Sequence, residues 1–271
     1  MKLLLVADLH LGESRPSSTH EGIIRQANSQ ASKKLSELIP FFNSQRFDLI
    51  FQMGDIVRET GDRNLDAPFY KNVFSLLSSF NKPLINLLGN HELNTFTLEE
   101  LKQFYIQSNL DSNFFGSKII NCYQIIWLDH QINSEGRQYL SDERLEWLDK
   151  EINPDYQTIL VSHYSIISND MRGNFLFEDK PQDIYYANSE DILDILKKKE
   201  VILSISGHSH WISYKTKDNI NFLSVPSFSE NIAAENYPDN NPAIYTILET
   251  FDSSLYIKSF SGKFCFFSLE I

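Results

Sequence analysis

The chain has 271 residues, 42% hydrophobic and 22% charged, the make-up of an ordinary soluble globular protein that can bury its core as one domain over 1–271. Its 24 basic against 36 acidic residues leave a net charge of −12, which argues against an electrostatic binder of nucleic acid or anionic membrane; bound cations could still reverse the field around a phosphate substrate. Cys122 and Cys265 offer neither a disulfide framework nor a zinc-finger spacing, so the expected compartment is reducing, the cytoplasm.

Residues 2–7 are an apolar run that predicts a buried strand and halts at Asp8 and His10. The run is too short for a signal peptide, and no later apolar stretch is long enough to span a bilayer. Ile24, Ala27, Ala31, Leu35, Leu38 and Phe42 recur near helical spacing and predict a helix over 21–43. Strands follow at 47–53 and 83–88, with a helix near 66–80 between them. Thr97 and Glu100 form a capping-box signature before the helix LEELKQFYIQ. Two strands near 118–128 come next, and then Ser141 as the N-cap of DERLEWLDKEI. A strand at 158–162, a helix near 190–199 and a strand at 201–206 end the alternating part.

Beyond 211 the pattern becomes short strands, at 211–216, 221–225, 243–249, 254–260 and 263–269. Hairpin turns fall at Lys217-Asp218-Asn219 and Ser261-Gly262-Lys263. Two packed sheets with helices outside accommodate both halves. The irregular stretches 164–188 and 226–242 are candidates for the rim of a site.

The halt at Asp8 and His10 raises a question of chemistry. Period-two alternation puts both side chains on one side, where the chain leaves the sheet. Four further apolar runs end the same way: at Asp55, at Asn90 and His91, at His163, and at His208 and His210. In an open α/β sheet, ligands bind beyond the carboxyl ends of the strands, so five such ends would converge on one cleft. Gly54, Gly89 and Gly207 precede these residues, where a tight turn or close backbone approach is useful. Imidazole and carboxylate donors without thiolate suit Mn, Fe or Zn.

The order Asp-x-His, Gly-Asp, Gly-Asn-His-Glu, His, Gly-His-x-His resembles the calcineurin-like metallophosphoesterase superfamily over residues 8–210. YLSDERLEWLDKEI and SEDILDILKKKEVILSISGHSH further resemble its class III cyclic-nucleotide phosphodiesterase (CpdA/Icc-like) branch. The resemblance implies an α/β fold, a four-layer αββα sandwich of two mixed sheets flanked by helices, with a dinuclear metal centre. By the same resemblance one divalent ion takes Asp8, His10, Asp55 and His210. The other takes Asp55, Asn90, His163 and His208, with Asp55 as the bridge. A hydroxide bridging the two ions would attack the phosphorus, and ions ~3.5–4 Å apart would clamp the phosphoryl oxygens. His91 is implied to act with Asp55 in catalysis, as general acid or charge stabiliser at the leaving group, with Glu92 as its candidate orienting partner. His20 and His130 fit no motif position and read as structural or exposed.

Substrate choice should lie in the rim. Arg172, Phe175, Phe177, Tyr185 and Tyr186 in 164–188 could bind a phosphate and stack a base, or could simply pack the loop onto the sandwich. Arg15 and Arg58 are further candidate phosphate contacts. The leading expectation is a phosphodiesterase acting on a small diester such as a cyclic nucleotide. A phosphomonoesterase, including a phosphoprotein phosphatase, is the alternative enzyme. A metal-free interaction scaffold is the alternative of another class, and the full set of ligand positions argues against it. A homodimer is a family-level option.

Overall fold

The computed structural model describes residues 1–12, 27–199, 201–230, 243–251 and 254–271, with the backbone alone of 19–20 and 23–24. The first half runs β1 (Lys2–Val6), β2 (Thr19–His20), β3 (Ile23–Ile24), α1 (Asn28–Ser44), β4 (Leu49–Gln52), α2 (Arg63–Leu77), β5 (Leu84–Asn86), α3 (Glu92–Thr95) and α4 (Leu98–Gln107). Next come β6 (Gly116–Ile120), β7 (Tyr123–Leu128), β8 (Gln131–Ile132), β9 (Gln138–Tyr139), α5 (Asp142–Glu151), β10 (Gln157–Ser162), α6 (Ser189–Lys198) and β11 (Leu203–Ser206). The chain finishes with β12 (Ser213–Lys217), β13 (Ile220–Ser224), β14 (Ile244–Phe251), β15 (Ser254–Ser261) and β16 (Phe264–Glu270).

Two six-stranded mixed sheets form, in the orders β16-β15-β14-β1-β4-β5 and β12-β13-β11-β10-β7-β6. β1 is apolar after Lys2 because both its faces are covered. Leu3 and Leu5 pack toward the other sheet with Phe51, Trp127, Val161 and Ile205, while Leu4 and Val6 pack with Leu35 and Phe42 of α1 and Tyr70 of α2. On the far side of the second sheet, Ile126 and Leu160 meet Leu148 of α5 and Ile192, Leu193 and Leu196 of α6. The result is the four-layer αββα sandwich. Each fully buried Leu or Phe at these three interfaces contributes about 1.5–3 kcal/mol relative to exposure.

The register matters most for the site. β1, β4 and β5 are parallel, with Val6 opposite Gln52 and Gln52 opposite Asn86. In the second sheet β7, β10 and β11 are parallel, with Ser162 opposite both Leu128 and Ser206. The carboxyl ends of the strands in each sheet are therefore level, and the residues following them leave the sheets together.

Local signals hold in detail. Thr97 and Glu100 make the complete capping box of α4, and the Ser141 side chain caps α5. Asp218 and Asn219 both take left-handed backbone, as the tight β12–β13 turn requires. Two expectations are corrected. The first helix begins at Asn28, not near 21, because Ile23–Ile24 pairs with Thr19–His20 as an antiparallel ladder. The stretch 131–139 carries a small hairpin, β8 against β9, whose two-residue strands are too short to show any periodicity.

Candidate metal centre

β1 ends at Val6, and Asp8 and His10 lie beyond it in left-handed backbone, with φ of 52° and 43°. Strand alternation is therefore not what brings them together. The loop after β1 runs alongside the loop after β4: Asp8 N donates to Gly54 O, His10 N to Asp55 O, Leu11 N to Ile56 O, and Arg58 N back to Leu11 O. Asp55, His208 and His210 are left-handed as well, with φ of 53°, 62° and 54°. Such backbone costs about 1–3 kcal/mol at a non-glycine residue and persists only where the surroundings enforce it. Five of these residues meeting at one point mark that point as the purpose of the strain.

The glycines permit the approach. A Cβ on Gly89 would overlap Asp55 Oδ1, and one on Gly207 would stand 2.8 Å from Asp8 Oδ2. Glu92 completes the arrangement by accepting from the backbone N–H groups of Asp55, Ile56 and Gly89. It binds the loops together and does not orient His91, as the sequence had suggested. Glu59 contacts His91 Nδ1 instead.

All the residues singled out from the sequence as metal ligands meet here. Donor atoms of Asp8, His10, Asp55 and His210 lie within 4.8 Å of one another, as do those of Asp55, His163 and His208. These six side chains are buried. Half-buried Asn90 adjoins the second group, its Oδ1 3.4 Å from His163 Nε2 and 3.3 Å from the Tyr164 hydroxyl, which donates to it. His91 faces the shared carboxylate, with its Nε2 3.8 Å from Asp55 Oδ2 and its backbone N–H on Asp55 Oδ1 at 3.0 Å.

The hydrogen bonding fits a cation site. His163 Nδ1 donates to Met53 O at 2.8 Å, leaving Nε2 to face Asp55 Oδ2 at 3.5 Å. His208 Nε2 donates to Asp183 O at 3.2 Å, and its Nδ1 has no hydrogen-bond partner among the described residues. Asp55 Oδ2 is buried without a well-formed hydrogen bond among the described residues, 3.7 Å from His10 Nε2. A buried carboxylate oxygen and imidazole nitrogens facing one another are the donor set that a cation would satisfy.

Electrostatics point the same way. Burial raises the Asp8 carboxyl to about 6. Burial also disfavours a charged His163, but the Asp55 carboxylate outweighs it and raises the imidazole to about 9. For His91, burial is again outweighed, by Asp55 and Glu59, and the ring rises to about 9. Divalent cations would displace protons from Asp8 and His163. His91, with a carboxylate of its own, is equipped to keep one.

A cavity of about 510 Å³ opens over the cluster. Its inner wall carries Asp55, Asn90, His91, His208, His210 and Arg58; its outer wall carries Arg137 from the β8–β9 hairpin and Phe177 and Lys180 from loop 164–188. Arg172 lies elsewhere, exposed and paired with Asp170, and Tyr186 is buried with its hydroxyl on Asp129 O. The loop packs on its own aromatics, with Phe177 and Ile184 buried beside Met171. His130 is buried as well, stacked on His163 at 6.4 Å between ring centroids. Arg15, the side chain of His20 and residues 231–242 lie outside the described residues. Glu59, Tyr164 and Glu230 are the functional neighbours that sequence reading missed. Tyr164, directly after His163, and Glu59, four residues after Asp55, stood beside motifs; Glu230 did not.

A family model described as calcineurin-like phosphoesterase matches residues 1–211. A probable glycerophosphodiester phosphodiesterase, GpdQ, of Arcobacter nitrofigilis is 25% identical over 241 residues, which cover 87% of this chain and 81% of the relative. The 3',5'-cyclic adenosine monophosphate phosphodiesterase CpdA of Escherichia coli K12 is 25% identical over 166 residues, 60% of this chain and 55% of its own length. In fold, the chain is similar to a dimetal phosphatase from Danio rerio, with a TM-score of 0.74 at 14% identity over 100% of this chain and 98% of that one.

Proposed function

The chain belongs to the calcineurin-like phosphoesterase family, hydrolases of phosphoric esters, and on that premise we propose that it cleaves a small phosphodiester at the Asp55 cluster. The observation that carries the reading is the sharing of one buried, unpartnered carboxylate oxygen, Asp55 Oδ2, by donor groups from both sheets. In this reading Asp8, His10, Asp55 and His210 hold one divalent cation, and Asp55, Asn90, His163 and His208 hold a second, with Mn, Fe or Zn suited to the donors. Two such ions supply a nucleophile from water at neutral pH and Lewis-acid stabilisation of the phosphoryl oxygens.

The rest of the chemistry belongs to side chains. His91, held beside Glu59, gives a proton to the departing oxygen or stabilises the charge growing there. Glu59 keeps the ring turned so that Nε2 faces the cavity. Arg58 supplies positive charge beside the phosphate position. A cavity of about 510 Å³ suits a nucleotide-sized ester, and the names of the two phosphodiesterase relatives favour a diester, with a cyclic nucleotide as the leading example. We read the chain as one working domain, because β14–β16, beyond the matched residues, complete the first sheet beside β1. The two exposed free cysteines suit a reducing compartment, the cytoplasm.

The test is hydrolysis by metal-stripped and Mn²⁺-reloaded protein of bis-p-nitrophenyl phosphate and of p-nitrophenyl phosphate. Turnover should vanish on stripping and return with Mn²⁺, faster on the diester. Undiminished turnover after stripping would overturn the metal reading, and cleavage of the monoester alone would overturn the diester.

A further inference from the structure

We propose that Glu230 is the positioning residue of His210: its carboxylate holds the Nδ1 side of the ring and so presents Nε2 to a divalent cation. The inference rests on the metal reading of the cluster and adds to it a residue that none of the motifs contains.

Glu230 is fully buried. Its Oε2 stands 2.7 Å from His210 Nδ1, off the N–H axis, and neither atom has another hydrogen-bond partner among the described residues. Two buried polar atoms without other partners, one a carboxylate oxygen and one a ring nitrogen, are explained when the nitrogen carries the proton. The other ring nitrogen is then a lone-pair donor. It faces the cluster, with His210 Nε2 3.6 Å from Asp8 Oδ1 and 2.9 Å from His10 Nε2.

The backbone fixes Glu230 relative to the cluster itself. Glu230 N donates to Ser227 Oγ at 3.0 Å, and that hydroxyl donates to Asp8 O at 2.8 Å. Phe228 N donates to Ala7 O, so the segment after β13 is laced to the end of β1. The second carboxylate oxygen, Oε1, accepts from Asn28 Nδ2 at 3.1 Å and lies 3.7 Å from Arg58 Nη1. One carboxylate thus ties together a cluster histidine, the start of α1 and the arginine on the inner wall. A carboxylate on the outer nitrogen of a metal-binding histidine fixes its tautomer and orientation and raises its basicity, and its loss typically costs about 10–100-fold in metal affinity.

The competing role is purely structural, with Glu230 serving Asn28 and Arg58 alone. Glu230→Gln keeps the size and removes the charge, while Asn28→Ala removes the Oε1 contact and leaves His210 alone. Mn²⁺ binding to stripped protein, followed by the EPR signal of free Mn²⁺, separates them without any turnover. Glu230→Gln should bind Mn²⁺ about 10–100-fold more weakly, with Asn28→Ala close to wild type. Wild-type affinity in Glu230→Gln, or equal loss in both variants, overturns the positioning role and leaves the metal reading standing. Wild-type protein that takes up no Mn²⁺ overturns that reading and this proposal with it. A second measurement needs no variant: in ¹⁵N-histidine-labelled, Zn²⁺-loaded wild type, His210 should carry its proton on Nδ1. A proton on Nε2 overturns the proposal.

Discussion

The inner and outer walls of the cavity are built on opposite plans. At the inner wall and in the cluster behind it, Asp8, His10, Asp55, His208 and His210 are buried and left-handed in backbone, and the loops that carry Asp8, His10 and Asp55 are tied by hydrogen bonds. On the outer wall, the Arg137 guanidinium donates to Gln182 O and lies over the Tyr185 ring, and Lys180 lies over Phe177 with Asp183 at 3.8 Å. The inner wall is held by backbone hydrogen bonds between loops; the outer wall is held by side chains on a short hairpin and a loop with its own small core. The contrast suggests a division of labour. Reaction chemistry is placed where geometry is enforced, and substrate choice where residues can change without disturbing it.

Substitutions can break or sharpen that contrast. Asp55→Asn should have the largest effect. Its Oδ1 can still accept from His91 N, so the change is confined to the unpartnered Oδ2 that both donor groups share. Turnover should fall by several orders of magnitude and metal content should drop, read by elemental analysis; full turnover with two bound ions would remove Asp55 as the bridge. His91→Ala comes next. A loss of ~10²–10⁴-fold in kcat is expected with a poor leaving group, with metal content near wild type. If protonation is its main role, p-nitrophenyl esters should suffer less than alkyl or nucleoside esters; an equal loss would favour electrostatic stabilisation, and loss of metal would place His91 among the ligands. Arg137→Ala, on the outer wall, should raise KM by about two- to fivefold with kcat unchanged, as expected for a partly exposed charge contact. A fall in kcat as large as that of His91→Ala would erase the division between the walls.

The same contrast explains what could be read from the sequence. β1 announces itself because both its faces are buried and four of its five residues are consequently apolar. The residues after it are conspicuous because a carboxylate and an imidazole have no place in that run. The caps at Thr97 and Ser141 are local hydrogen-bonding patterns, so residues three apart in sequence suffice to signal them. Glu59, Tyr164 and Glu230 were illegible because their partners lie 32, 74 and 20 residues away, respectively, brought near only by the packing of the sheets and loops. Glu92 misled for the same reason: adjacency in sequence suggested His91, whereas its side chain turns to the backbone of residues 55, 56 and 89. The β8–β9 hairpin left no trace, since two residues per strand cannot display a period. Left-handed histidines are equally hard to foresee, because positive φ stays uncommon at any single non-glycine residue.

The central claim is that one buried carboxylate joins two cations at the meeting point of the two sheets. Anomalous scattering from crystals of the Mn²⁺-loaded protein tests it most directly. Two peaks ~3.5–4 Å apart are expected, with the Asp55 carboxylate between them, Asp8, His10 and His210 around one and Asn90, His163 and His208 around the other. A single peak remote from Asp55, or no peak within reach of these side chains, would contradict the account.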